Sequence, residues 1–189
     1  MAVESSVPEL GLWLRINSSA GTWVDGRLAR MVAYYDISEH KQQEERVAFL
    51  AYYDQKLNLP NGVRLYLDID GNPTAQYLIC FDIQGLRKIN DAYGRDTGYL
   101  LLEAIKSWVQ SNAWDDAGLY RIEGDEFAIL LSDRMEEEAS RMVDTLWQRF
   151  EEPWIIEQGD IRRSIFVRIT AGLLPIEEGY ADHAEMINT

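Results

Sequence analysis

The apolar positions of this chain change period several times, and each change marks an element. Tyr77-Leu78-Ile79-Cys80-Phe81 is an unbroken apolar run of strand length that ends on Asp82, the pattern of a buried strand. Leu119 to Ile122 and Phe127 to Leu131 are two further short runs, separated by Glu123-Gly124-Asp125-Glu126, and they read as a β-hairpin with an acidic tip. Between these strands the period turns helical. Leu101, Ala104, Ile105 and Trp108 share one face of a helix predicted from Thr97 to Ser111, after a shorter helix around 85 to 93. Ala139, Met142, Val143, Leu146 and Phe150 repeat the spacing and predict a helix over about 134 to 150. Strands predicted at about 63 to 69, 77 to 82, 153 to 158 and 163 to 174 complete one α/β sandwich, helices packed on a largely antiparallel sheet. The Met and aromatic positions on these helices read as core rather than cofactor contacts.

The first third of the chain is patterned differently. Two strand-like runs, Leu12 to Ile16 and Trp23 to Tyr35, carry Asp25-Gly26 as turn punctuation. From Ser38, a candidate N-cap with Glu39 in the first turn, the spacing of Val47, Leu50, Ala51 and Leu57 is helical. That stripe spans only about two heptads, too few to sustain a coiled coil unaided.

Composition narrows the classes of function. At 189 residues and 47% hydrophobic content, the chain can bury one sizeable core plus a small appendage. A formal net charge of −14, from 18 Lys and Arg against 32 Asp and Glu, repels nucleic acid and anionic membrane, so neither is an expected partner. The single cysteine, Cys80, lies inside an apolar strand and reads as a buried thiol. His40 and His183 lack metal-ligand spacing. Met1 to Ser6 has no basic leader pattern, and no run approaches the roughly 18 apolar residues of a membrane span. A cytoplasmic location is the expectation.

The chemistry is concentrated at one sheet edge. If the strand ending at Asp82 pairs beside the hairpin, Asp82 meets Asp125 and Glu126 there. An acidic hairpin taken singly is a solvated turn, but three carboxylates held together are costly without a cation, and a hard, oxygen-seeking ion such as Mg²⁺ resolves the conflict. Two such ions suit in-line displacement at a phosphate.

At these residues the chain resembles a known family. Asp82-Ile83, Lys88-Ile89-Asn90-Asp91, Gly94, Gly98 and Arg121-Ile122-Glu123-Gly124-Asp125-Glu126-Phe127, with Leu59-Pro60-Asn61 before them and Ile169-Thr170-Ala171-Gly172 after, look like the GGDEF domain of diguanylate cyclases. The resemblance implies a nucleotidyl cyclase palm with a ferredoxin-like sheet. It further implies that Asp82, the Ile83 carbonyl, Asp125 and Glu126 hold two Mg²⁺ ions, Asp125 and Glu126 being also the catalytic carboxylates. Gly124 would let the backbone approach the phosphates and Asn90 would read the guanine edge. Two domains, each carrying GTP, would face one another as a homodimer to make cyclic di-GMP.

Several positions depart from the family pattern. Tyr99 stands where a second guanine-reading carboxylate is expected, and a phenol cannot copy that two-point pairing; alternatively Tyr99 simply packs at the start of a helix. Glu123 replaces the first Gly of the signature, and Asp54 to Gly62 has drifted from the family's opening segment. Trp114-Asp115-Asp116-Ala117 falls where the family has the Arg-x-x-Asp of its product-inhibition site, so no such site is expected. After Tyr180 to Met186 the family continues into a cationic helix and a last strand, and the chain is expected to be truncated before both.

Trp23 to Lys41 looks like the end of a PAS sensory domain, or alternatively a hairpin of the main domain. The expected organisation is therefore PAS strands over 1–37, a signalling helix over 38–58, and a GGDEF domain over 59–189. Three functions are open: a regulatory GTP-binding module with weak or no cyclase activity that controls a downstream output domain, an active diguanylate cyclase, or a scaffold coupling a PAS domain to a phosphodiesterase domain.

Overall fold

The computed structural model describes residues 2–176; the Tyr180 to Met186 segment, with His183, lies outside the described residues. The chain divides into two compact units, Met1–Ala51 and Tyr52–Thr189.

In the first unit, β1 (Ala2–Val7), β2 (Leu12–Thr22) and β3 (Leu28–Asp36) form an antiparallel meander in that order, followed by helix α1 (Ser38–Tyr52). β3 begins later than the apolar run implied, because Trp23 to Arg27 is spent on the turn: Gly26 has φ +83°, and the Trp23 N–H donates to the Arg27 carbonyl. Ser38 is not the N-cap. The Ile37 carbonyl accepts from Lys41 N–H as the first helical bond, and Asp36 Oδ1 accepts from both the backbone N–H and the hydroxyl of Ser38. α1 stops at Tyr52, so Leu57 is not part of its stripe; it is fully buried in the core of the second unit.

The second unit opens with two short paired strands, β4 (Tyr53–Asp54) and β5 (Leu59–Pro60), and helix α2 (Gly62–Gly71). α2 replaces the strand expected at 63 to 69. Val63, Leu65, Leu67 and Ile69 alternate as in a strand, yet Asn61 caps a helix by accepting from Arg64 N–H, and Arg64 pairs with Asp68 one turn on. Only Leu65 and Ile69, four apart, are buried, while Val63 and Leu67 face solvent.

β6 (Ala75–Gln84), α3 (Leu86–Tyr93), α4 (Arg95–Asn112), β7 (Gly118–Glu123), β8 (Glu126–Ser132), α5 (Glu136–Phe150), β9 (Trp154–Gln158), β10 (Ile161–Ile165) and β11 (Arg168–Pro175) follow. The main sheet is antiparallel throughout, in the order β11-β6-β8-β7. β9 does not join it: β9 and β10 pair with each other as a separate ribbon, which splits the strand expected over 163 to 174 at Phe166-Val167. The mixed α/β sandwich that the pattern predicts is the fold observed.

Strand alternation sorts the two faces of the sheet. Ile79, Phe81 and Ile83 of β6, with Phe127, Ile129 and Leu131 of β8, pack into the larger core beneath α3, α4 and α5, which adds Leu101, Ile105, Met142, Leu146 and Phe150. Leu78, Ala128, Leu130 and Tyr120 form a smaller core against Leu65 and Ile69 of α2. β6 is central and covered on both sides, which is why it reads as one continuous apolar run.

Candidate functional site

The hairpin between β7 and β8 is tighter than the acidic tetrad implied. Glu123 and Glu126 are the closing cross-strand pair, and Gly124 and Asp125 alone make the turn, with Gly124 at φ +54°. The register slips between Arg121 and Glu123, leaving Ile122 as a bulge. The turn is fixed from two directions. Ile83 N–H, at the end of β6, donates to the Asp125 carbonyl at 3.0 Å. Arg121, 8% exposed, donates to the Gly124 carbonyl from Nε at 3.0 Å and Nη2 at 2.6 Å, and its Nη1 pairs with Asp54 at 2.9 Å. Asp54 Oδ1 also accepts from Leu57 N–H. The drifted segment 54–62 is thus bound to the hairpin turn through Arg121, whose role the sequence reading passed over because its partners lie 3 and 67 residues away.

The expected site residues divide between the two sheet faces. Asp82 pairs across strands with Glu126, as expected, on the face that carries Leu78 and Ala128. Burial, reinforced by the Asp125 charge, pushes the Asp82 carboxyl above its ordinary range. On that same face Cys80 is half-buried, its thiol pushed up to about 11 by burial with help from Glu126, which makes it a poor nucleophile. Ile83 is fully buried in the larger core.

Asn90 and Tyr99 lie on the other face, in a cleft of about 340 Å³ lined also by Gly98, Gly124 and Asp125. The cleft therefore joins the base-reading candidates to the hairpin turn, while Asp82, Ile83 and Glu126 do not line it. Lys56, Arg87 and Arg95 line it too, cations that no sequence pattern singled out because each stands on a different element. A second cleft of about 420 Å³, lined by Tyr53 to Lys56 and Ile122 to Gly124, adjoins the same turn.

Asn90 is seated by Gly98: a Cβ at Gly98 would fall 1.9 Å from Asn90 Oδ1. Tyr99, 39% exposed, places its hydroxyl 2.8 Å from Glu103 Oε1 and 3.1 Å from the Lys56 carbonyl. The donors near the turn are hard oxygens, and the desolvated Asp82 beside Asp125 is the kind of charge conflict a divalent cation relieves. Among the described residues, however, no group of three or more His, Cys, Asp or Glu side chains is gathered closely enough to hold a metal. At the position of the family's product site, Arg134 pairs with Asp116 at 2.5 Å and lies 5.1 Å from the Trp114 ring.

An antiparallel sheet whose central strand ends beside a Gly-led acidic turn, with a cleft of about 340 Å³ lined by that turn, defines a nucleotidyl cyclase palm of the GGDEF type. Solved structures share this fold. The coiled coil and GGDEF domain of DgcB from Caulobacter crescentus, in complex with c-di-GMP, superposes with a TM-score of 0.66 at 18% identity, over 80% of this chain and 83% of that one. The FimX GGDEF domain from Pseudomonas aeruginosa gives 0.61 at 18%, over 72% and 87%. The chain belongs to the GGDEF family: residues 51–189 match the family described as diguanylate cyclase, GGDEF domain. It is 29% identical over 174 residues to the bifunctional diguanylate cyclase/cyclic di-GMP phosphodiesterase MucR of Pseudomonas aeruginosa, covering 87% of this chain and 24% of MucR. It is 28% identical over 158 residues to a diguanylate cyclase of Vibrio cholerae, covering 80% of this chain and 48% of that protein. The chain thus spans from about a quarter to a half of the length of these relatives. Among the described residues no helix is long and apolar enough to cross a membrane.

Proposed function

We propose that the unit beginning at Tyr52 is a cytoplasmic regulatory GGDEF domain that binds GTP and has weak or no cyclase activity, within a cyclic di-GMP signalling protein. The observation that carries this reading is the cleft itself. Asn90 and Tyr99 line it together with Gly124 and Asp125 of the hairpin turn, and Lys56, Arg87 and Arg95 line it too, available to meet an anionic ligand. Tyr99 cannot make the two-point pairing of a carboxylate with guanine, so the base is held less firmly than synthesis needs. Asp82, Asp125, Glu126 and the Ile83 carbonyl are not gathered closely enough to hold Mg²⁺ by themselves, and would hold it only where phosphate oxygens complete its shell, the metal then neutralising those phosphates. The protein's own part is to position them: Gly124 offers an approach without a side chain, and Arg121 keeps the turn in place.

Retention of all three carboxylates favours a second reading, an active diguanylate cyclase working as a homodimer. In either case the three strands that run into α1 support a PAS tail with a signalling helix, coupling an upstream signal to a downstream output domain. Feedback through the family's product site is absent in this reading, because Trp114 and Ala117 stand where its Arg and Asp are expected.

Calorimetric titration of a non-hydrolysable GTP analogue with Mg²⁺, paired with chromatographic detection of cyclic di-GMP from GTP, tests the proposal. Binding that is lost in Asp82→Ala, with product formation far below about 1 s⁻¹, is the expected result. Turnover at ordinary enzyme rates would establish the cyclase instead, and absence of binding would leave the scaffold.

A further inference from the structure

Tyr99 does more at the cleft mouth than remove a carboxylate. Its hydroxyl has one proton and two acceptors in reach, Glu103 Oε1 at 2.8 Å and the Lys56 carbonyl at 3.1 Å. Glu103 has the stronger claim. Its other oxygen, Oε2, is held by Lys106 at 2.8 Å, and Lys106 is in turn anchored on the Leu57 carbonyl at 2.9 Å. A fixed carboxylate takes the shorter, charge-assisted bond, so the Tyr99 proton points to Glu103. The Tyr99 oxygen and the Lys56 carbonyl oxygen, 3.1 Å apart on two residues that line the cleft, are then neighbouring acceptors with no proton shared between them. Two adjacent acceptors of this kind are relieved by a ligand edge with adjacent donors. Guanine presents such an edge in N1–H and N2–H₂; adenine presents an acceptor at N1 and would meet a third lone pair.

Resting on the reading of this cleft as a nucleotide site, we propose that Glu103 is a positioning residue for base selection. By drawing the Tyr99 proton away, it makes the Tyr99 hydroxyl and the Lys56 carbonyl an acceptor pair selective for guanine, in place of the carboxylate that the family pattern expects at position 99. Guanine preference is then preserved by a different set of atoms, one of them backbone from the drifted segment before α2. Selectivity also becomes sensitive to the placement of that segment, which Arg121 and Asp54 control.

The test is calorimetric affinity for the imido analogues of GTP and of ATP, with Mg²⁺, in wild type, Glu103→Leu and Tyr99→Phe, with thermal melts as a folding control. Glu103→Leu frees the Tyr99 proton to be offered to the ligand. It is expected to lower GTP-analogue affinity about tenfold and to raise ATP-analogue affinity by several-fold, a crossed change that a loss of structure does not produce. Tyr99→Phe removes both acceptor and donor, and is expected to lower GTP-analogue affinity with no gain for ATP; it carries the test alone if Glu103→Leu fails to fold. Parallel weakening of both ligands, or a wild type without base preference, overturns the assignment while the nucleotide site stands. Absence of all nucleotide binding overturns the site and the assignment together.

Discussion

Gly98→Ala should separate folding from binding. Gly98 is buried in the first part of α4 with ordinary helical backbone, so alanine suits its conformation and gains up to about 1 kcal/mol of helix propensity. The obstacle is a single contact: the new Cβ would lie 1.9 Å from Asn90 Oδ1 and 3.0 Å from its Cγ. Oδ1 must retreat by about 1.5 Å to reach ordinary contact, which the end of a flexible side chain does by rotation, at about 0.5–1.5 kcal/mol if it leaves its preferred rotamer. The two effects nearly cancel. Urea denaturation is therefore expected to show stability within about 1 kcal/mol of wild type. The displaced amide no longer faces the cleft, and losing one hydrogen bond of about 1.4 kcal/mol weakens the GTP analogue about tenfold. Asn90→Ala alone should cost the same affinity, and the double variant no more than either, since both remove one contact. Destabilisation above about 2 kcal/mol would show that Asn90 cannot yield. Unchanged affinity in a folded Gly98→Ala protein would show that Asn90 does not read the base.

Arg121→Ala leaves the Gly124 carbonyl and a partly buried Asp54 without their guanidinium; a loss of about 2–4 kcal/mol in urea denaturation is expected, and wild-type stability would mean that the turn holds itself. Asp82 has its native pKa raised above the unfolded value of 3.8, so its protonated form favours folding at low pH, and that contribution is lost as pH rises through the native pKa. Asp82→Asn is accordingly expected to raise the melting temperature at neutral pH, by a margin that shrinks as the pH falls towards 4; a constant margin would refute the burial and Asp125 account. Leu57→Ala, at a fully buried position outside any helix, is expected to cost about 2–5 kcal/mol, whereas a cost below about 1 kcal/mol would place Leu57 back on a solvent-facing stripe.

Where a single period dominated, the elements were readable from the sequence. β6 is a run covered on both faces, α4 buries Leu101 and Ile105 and α5 buries Ala139, Met142, Leu146 and Phe150 while Ala104, Trp108 and Val143 are only partly buried, and the hairpin is bounded by its Gly-led turn. The misreadings have specific causes. Residues 63 to 69 satisfy two periods at once, and the cap at Asn61 with the Arg64–Asp68 pair decides for helix. Leu57 satisfies a helical spacing by coincidence, because α1 ends at Tyr52 and the chain turns to bury that leucine from another direction.

The sequence singles out candidate site residues by type but not their placement on the sheet, and strand alternation explains why. Asp82 and Glu126 lie at even spacing from Leu78 and Leu130 and so share their face, towards α2, whereas Arg121 opposes Phe127 and shares the face of α3 and α4, where Asn90, Gly98 and Tyr99 lie. A motif read as a string sets these residues side by side, but the pleat sends them to opposite sides of the sheet. The Gly124–Asp125 turn, at the sheet edge, is one link between them, and the step from β6 into α3 is another. The turn's carbonyls are tied by Ile83 N–H to the strand that carries Asp82, and by Arg121 to the segment that carries Lys56. If the two proposed sites are coupled, this turn is one route for it. The Gly98→Ala and Asp82→Asn variants, which act on opposite faces, should then affect GTP-analogue affinity additively if the turn is rigid and less than additively if it moves.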